Sequence, residues 1–360
     1  MNNKLGLKKG HVCYAVSALI ILILMFVFKG LAAYCAQRPI EQGFATRWSK
    51  DKDYAQSTVF LSVEAELKED DIETLRHKMD TLLANAGVVK EDDFKGRLWV
   101  DAYSGNGTVD VSFNKNSGNF AAVGVSGDFF LFHPLKLLSG TFFSDDDIMD
   151  DYIIVDQDVA WQLFGSADIA GQYVTINSKP YIIKGVIERD TSLMYKMAGL
   201  DKPVVYMSLN ALRDNGTFYY INCYELLAPE PVDGFGIGLL KEELNISENN
   251  AECVDNTKRF DYFSVMKLIP GMLKRVMNSK SIIFPYWENV ARGYEDILIR
   301  LYSLYTFCLA YVIIFGIGAV VFYYRRKNWT IISLCRSLYE KLVVFVYKIK
   351  NYRRFKDEEE

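Results

Sequence analysis

Val125–Asp147 reads VSGDFFLFHPLKLLSGTFFSDDD, and Tyr152–Glu188 continues it as YIIVDQDVAWQLFGSADIAGQYVTINSKPYIIKGVIE. Tyr152–Val155 is a short apolar run rich in β-branched residues, which predicts a buried strand. Asp156-Gln157 leads into a short helix, Asp158–Phe164, and Gly165 ends it. Tyr173–Ile176 and Tyr181–Val186 flank a turn and predict two more strands. Gly140, Gly165, Gly171 and Gly185 suit turns, a helix end and close backbone approach. Phe130, Leu163 and Phe164 are expected to fill the small core, with Phe164 buried where the helix meets the sheet. Its replacement by Ala should then cost about 3–5 kcal/mol.

Outward from this block the pattern is mixed. Ser57–Leu67 alternates apolar and polar residues and predicts a strand. Glu69–Ala86 predicts a helix, with Asp70 and Asp71 in its first turn and Ile72, Leu75, Met79, Leu82 and Leu83 as its buried face. Leu98–Tyr103 and Thr108–Phe113 read as strands joined by a Ser104-Gly105-Asn106-Gly107 turn. Ala121–Val125, Val204–Ser208 and Phe218–Leu227 predict strands, and Phe235–Leu244 and Phe284–Arg300 helices. The expected fold is an α+β domain of two subdomains: an α+β part, 54–118 and 225–260, and a β-rich part, 119–224.

Two uncharged runs frame this domain. Val12–Phe28, continued through Lys29-Gly30-Leu31-Ala32-Ala33, gives a span over 12–33, and Leu301–Tyr324 gives a second over 301–324. About 20 residues at 1.5 Å each cross a hydrocarbon core of ~30 Å. A cleaved signal peptide is the competing reading of the first run, which is longer than a usual signal core of roughly 7–15 residues. Tyr302, Tyr305, Tyr323 and Tyr324 sit near the ends of the second run as an aromatic belt. Lys4, Lys8 and Lys9 precede the first span, and Arg325, Arg326 and Lys327 follow the second. Both sets of basic residues place the termini, 1–11 and 325–360, in the cytoplasm of a cell-membrane protein. Residues 34–300 are then extracytoplasmic, with a pre-membrane helix at 284–300. The tail is basic and amphipathic, suited to the inner headgroup layer or to a partner.

The order of motifs from Val125 onward resembles the MacB-type periplasmic core domain of FtsX-like ABC transporter permeases. Asp128-Phe129-Phe130 stands at the family's aromatic turn. Leu137-Leu138-Ser139-Gly140-Thr141-Phe142-Phe143 follows its Leu-x-x-Gly element. Ala160–Gly165, Ala170–Ile176 and Tyr181–Val186 supply the helix end and the closing strands. The resemblance implies a permease-like subunit coupled to a separate ABC ATPase, alongside a further permease subunit and membrane lipid. It puts the ATPase contact after the second span, at Arg325, Arg326, Trp329 and Ile332. Family permeases carry four spans and this sequence shows two, so a truncated, half-type permease is expected. The alternative is a membrane-anchored binding or scaffold protein without ATPase coupling.

Composition and motifs narrow the rest. The mean hydropathy of +0.03 over 360 residues fits a mostly water-soluble body with a minor membrane part. The net charge of −4 offers no basic stripe for nucleic acid. No P-loop, GxSxG or HExxH motif is present, so neither an enzyme nor a bound cofactor is expected. His11, His77 and His133 are far apart and read as surface or packing residues, not metal ligands. The spacing allows a Cys223–Cys253 disulfide without fixing its geometry.

Overall fold

In a computed structural model, the described residues are 9–49, 54–88, 96–145, 147, 150–200, 202–244, 246–247, 249–272 and 281–326, with a few isolated positions beyond 335. Helix α1 (Lys9–Ala36) comes first, then α2 (Phe44–Trp48), β1 (Tyr54–Leu61) and α3 (Glu69–Asn85). A long hairpin follows, β2 (Val100–Phe113) and β3 (Asn116–Gly127). Next come α4 (Phe129–Phe132), β4 (Leu137–Gly140), β5 (Tyr152–Asp156), α5 (Gln157–Phe164), β6 (Tyr173–Ile176) and β7 (Lys179–Ile187). The remaining elements are α6 (Leu193–Met197), β8 (Val204–Ser208), α7 (Leu209–Asn215), β9 (Thr217–Pro229), α8 (Phe235–Glu243), β10 (Ala251–Asp255), α9 (Tyr262–Met266) and α10 (Tyr286–Arg326).

The ten strands form one mixed sheet in the order β10-β1-β9-β2-β3-β8-β5-β7-β4, and β6 bridges β2 and β7. Residues Gly30–Ser303 make one compact unit. The other unit, Met1–Lys29 with Leu304–Glu360, holds the apolar parts of α1 and α10. Within it, the Ser17 hydroxyl lies 3.2 Å from the Tyr311 hydroxyl. Both α1 and α10 are long and apolar enough to cross a membrane.

Local chemistry explains most boundaries. The Asp156 carboxylate accepts from the backbone N–H groups of Asp158 and Val159, capping α5. Gly165 closes α5 with a left-handed φ of 71°. α3 buries Ile72, Leu75, Met79 and Leu83 against β1, β2 and β9 residues. β6 and β7 turn through Asn177 and Ser178, both at positive φ, as a two-residue hairpin requires.

Several expectations are corrected. Ser104-Gly105-Asn106-Gly107 is no turn; it lies inside β2, and the hairpin turns at Asn114-Lys115. Asn-Gly reads as a hairpin loop in isolation. Here a Cβ on Gly105 would fall 2.5 Å from both the Phe218 ring and the Tyr220 carbonyl oxygen, at a bulge against β9. The glycines serve close strand approach. The strand expected over Ser57–Leu67 ends at Leu61, because a 3-10 turn occupies Val63–Ala65. Phe164 is half-buried, not buried: it stacks on Phe113 at 3.9 Å across the rim of the core, while Leu163 points inward. Phe130 is also half-buried. Cys223 and Cys253 are not disulfide-bonded. They lie on β9 and β10 with β1 between them. Two strand spacings of ~4.8 Å exceed the Cα separation a disulfide allows.

Candidate functional site: where the last helix docks

The first turns of α10 bury a polar surface in the body. Pro285 precedes the helix, and its carbonyl oxygen accepts from the N–H groups of Glu288 and Asn289. Trp287, Val290, Ala291, Leu298 and Ile299 are buried, as are the carboxylates Glu288 and Glu295. Arg259, also buried, joins the two acids. Its guanidinium donates to Glu288 Oε2 at 2.6 Å and Oε1 at 2.8 Å, and through Nε to Glu295 Oε1 at 2.7 Å. Arg292 Nε donates to Glu288 Oε1 at 2.7 Å and also pairs with Glu252 of β10. Asn256 Oδ1 accepts from Arg259 at 3.0 Å, while Asn256 Nδ2 donates to Thr58 Oγ1 on β1 at 3.0 Å. The bidentate fork suits a planar guanidinium and would not survive exchange for lysine.

The electrostatics follow from this geometry. Burial pushes the Glu288 carboxyl up, but Arg259 and Arg292 outweigh it and hold it below its ordinary value. Burial pulls the Arg259 guanidinium down, and Glu288 and Glu295 more than reverse that. Glu288 and Arg259 are therefore held in their charged forms, facing one another.

A second polar group packs against the same helix. His133 is fully buried, and its Nε2 lies 2.6 Å from Glu225 Oε2 on β9. Its ring packs 4.3 Å from both Phe129 and Trp287. The packing role expected of His133 thus comes with a buried carboxylate. A cavity of 390 Å³ opens near the start of α10 and is lined by Glu41, Arg189, Tyr195, Tyr206 and Tyr286 among others. Glu41 accepts from the Tyr195 hydroxyl at 3.2 Å, and the Tyr206 and Tyr286 hydroxyls are 3.4 Å apart. Burial and Glu41 push the Tyr195 phenol up, so it stays a neutral donor.

The motif residues gather elsewhere, around β4 and β7. Phe130 stacks on Phe142 at 4.6 Å and meets Phe143 edge-on at 5.2 Å, so the two aromatic motifs interlock. Gly140 pairs with Gly185 across β4–β7. Its φ is +79°, and an added Cβ would fall 2.1 Å from the Lys184 carbonyl oxygen. Gly171 lies just before β6, and its N–H donates to the Ile183 carbonyl oxygen at 2.7 Å. Of the expected ATPase-contact residues, Arg325 lies in the last turn of α10 with its side chain exposed. For Arg326 only the backbone is described, and Trp329 and Ile332 lie outside the described residues.

Sequence reasoning missed the docking cluster. Glu288, Arg292 and Glu295 at helical spacing look like a solvated charged stripe. Only the position of Arg259, some thirty residues upstream, reverses that reading.

A mixed α/β extracytoplasmic domain flanked by two membrane-length helices is the class these features define. The chain belongs to the MacB-like periplasmic core domain family, which it matches over residues 44–233. No curated protein matches it. Among solved structures, the extracellular domain of the noncanonic ABC-type transporter YknZ from Gram-positive bacteria is 16% identical. That match covers 55% of this chain and 99% of that one, with a TM-score of 0.37. The periplasmic region of MacB from Actinobacillus actinomycetemcomitans is 15% identical, with 62% and 94% covered and a TM-score of 0.40.

Proposed function

We propose that the chain is a permease-like membrane subunit of an ABC complex, in which a separate ATPase moves the extracytoplasmic domain through α10. The observation that carries this reading, beside the family match, is the locking of α10 by Arg259. One helix of 41 residues runs from Tyr286 to Arg326, about 60 Å at 1.5 Å per residue. Separating Glu288 from Arg259 leaves an uncompensated buried charge, at a cost of about 3–5 kcal/mol. A displacement of the helix is therefore shared by β1 and β10, through Asn256–Thr58 and Arg292–Glu252, before the pair opens. The chain itself performs no chemistry in this scheme. A further permease subunit and surrounding lipid complete the assembly.

The proposed orientation has both termini in the cytoplasm. Lys115→Cys, at the exposed hairpin tip, should react with an impermeant thiol reagent in intact cells, above the background of the native cysteines. Glu358→Cys should not. For coupling, an ATPase should co-purify with the native chain, and Trp329→Asp or Ile332→Asp should release it while the protein stays in the membrane. Retention of the ATPase in both variants, or no ATPase at all, would replace this reading with that of an anchored scaffold.

A further inference from the structure

The segment between β10 and α10 has two unlike faces. Inward, Val265 and Leu268 pack against Ala32 of α1 and Leu298 and Ile299 of α10, with Cys35, Ala36, Leu301 and Tyr302 around them. The Tyr302 hydroxyl donates to the Phe260 carbonyl oxygen at 3.2 Å, and Tyr262 meets Tyr302 edge-on at 5.2 Å. Outward, Phe263 is 76% exposed and Ile269 40%, and Lys267 and Pro270 are exposed beside them. One exposed aromatic residue is ordinary. An outward face of Phe, Ile and Pro within eight residues, on a segment whose inward face packs on both membrane-length helices, is not.

The level of these contacts decides what covers that face. The uncharged run of α10 begins at Leu301, directly after Arg300. Leu298 to Leu301 is a rise of about 4.5 Å. The headgroup layer is roughly 5–7 Å deep on each side of the hydrocarbon core. A segment packed on Leu298–Tyr302 therefore lies at headgroup depth, where aromatic residues and snorkelling lysines are favoured.

We infer that residues 260–272 form a foot on the outer surface of the same bilayer, with Phe263 and Ile269 facing its lipid. The single acid on the outward side, Asp261, stands at the N-cap position of α9, before the apolar residues. The inference needs both helices to cross the membrane and does not depend on an ATPase. The foot ties the body to the membrane beside α10, so helix and membrane surface act on β10 from adjacent points.

The test uses the full chain alone, in vesicles of phosphatidylethanolamine and phosphatidylglycerol. Phe263→p-benzoylphenylalanine and Ile269→p-benzoylphenylalanine are irradiated, and adducts are identified by mass spectrometry. Trp161→p-benzoylphenylalanine is the reference. Trp161 is 60% exposed on α5, at the Phe113 end of β2. A 14-residue strand puts that end about 45 Å from the other. The foot predicts phospholipid adducts at 263 and 269 and only background at 161. Lipid adducts at neither position, or adducts to a partner protein in their place when the chain is irradiated in cell membranes, would overturn it. Because no ATPase is present in the vesicles, failure of the coupling scheme leaves this outcome untouched.

Discussion

The two ends of the sheet are held together by different physics. Around β5, β6 and β7 the core is aliphatic: Ile153, Val155, Val159, Leu163, Val174, Ile176, Ile183 and Val186 interdigitate. The buried acid here, Asp156, is spent on backbone N–H groups of Asp158, Val159 and Val204. Around α10 the buried set includes Glu41, His133, Glu225, Arg259, Glu288 and Glu295. Buried polar atoms with no hydrogen-bond partner among the described residues occur at both ends, Trp287 Nε1 and His133 Nδ1 here and Asp151 Oδ1 and Asn215 Oδ1 by β5 and β7. Apolar burial is strong but non-directional. Buried ion pairs add little net stability yet penalise separation heavily. The first kind of contact holds a fold, and the second fixes the register of one helix.

The contrast is broken most directly at Arg259. Arg259→Ala should destabilise the body by about 3–5 kcal/mol, because it takes from the buried acids Glu288 and Glu295 the cation they share. Chemical denaturation of the detergent-solubilised chain measures it, and a loss below ~1 kcal/mol would mean that charge does not hold this end. Leu163→Ala tests the other end. It should cost about 3 kcal/mol by transfer and cavity terms. Its effect should add to that of Arg259→Ala, since the two sites share no partner. Phe164→Ala should cost only about 1–2 kcal/mol, because the ring is already partly exposed at the rim of the core, where it stacks on Phe113. A cost as large as that of Leu163→Ala would put Phe164 back in the core.

The smallest signal is a pH slope. The Glu288 carboxyl is held below its ordinary value of 4.5 in the folded chain. Its contribution is complete above that value and is lost as pH falls through the lower, folded value. Asp156 is raised, mainly by burial, and acts with the opposite sign. The informative quantity is therefore the difference between the wild type and Glu288→Gln. Stability of the wild type should fall more steeply below pH 4.5 than that of the variant, and parallel curves would remove Glu288 from the charged set.

Elements whose reasons are local were legible in the sequence. The strand from Tyr152, the helix entry at Asp156-Gln157, the Gly165 stop and the helix from Glu69 follow from periodicity and end signals within a dozen residues or so. The two long apolar helices are equally local, since crossing a bilayer is a matter of length and composition. The ordered run of weak motifs from Val125 to Val186 carried the family, because glycines and aromatics there answer to backbone geometry, as Gly140 does against the Lys184 carbonyl. Tertiary structure alone decided the rest. Asn106-Gly107 satisfies the local rule for a turn, yet the approach of β9 makes it mid-strand. Glu288, Arg292 and Glu295 satisfy the local rule for a solvated stripe, yet Arg259 and Glu252 turn that stripe inward. In both cases the deciding partner is far away in the chain, and the free energy of a buried charge or a close backbone contact depends on what stands opposite it.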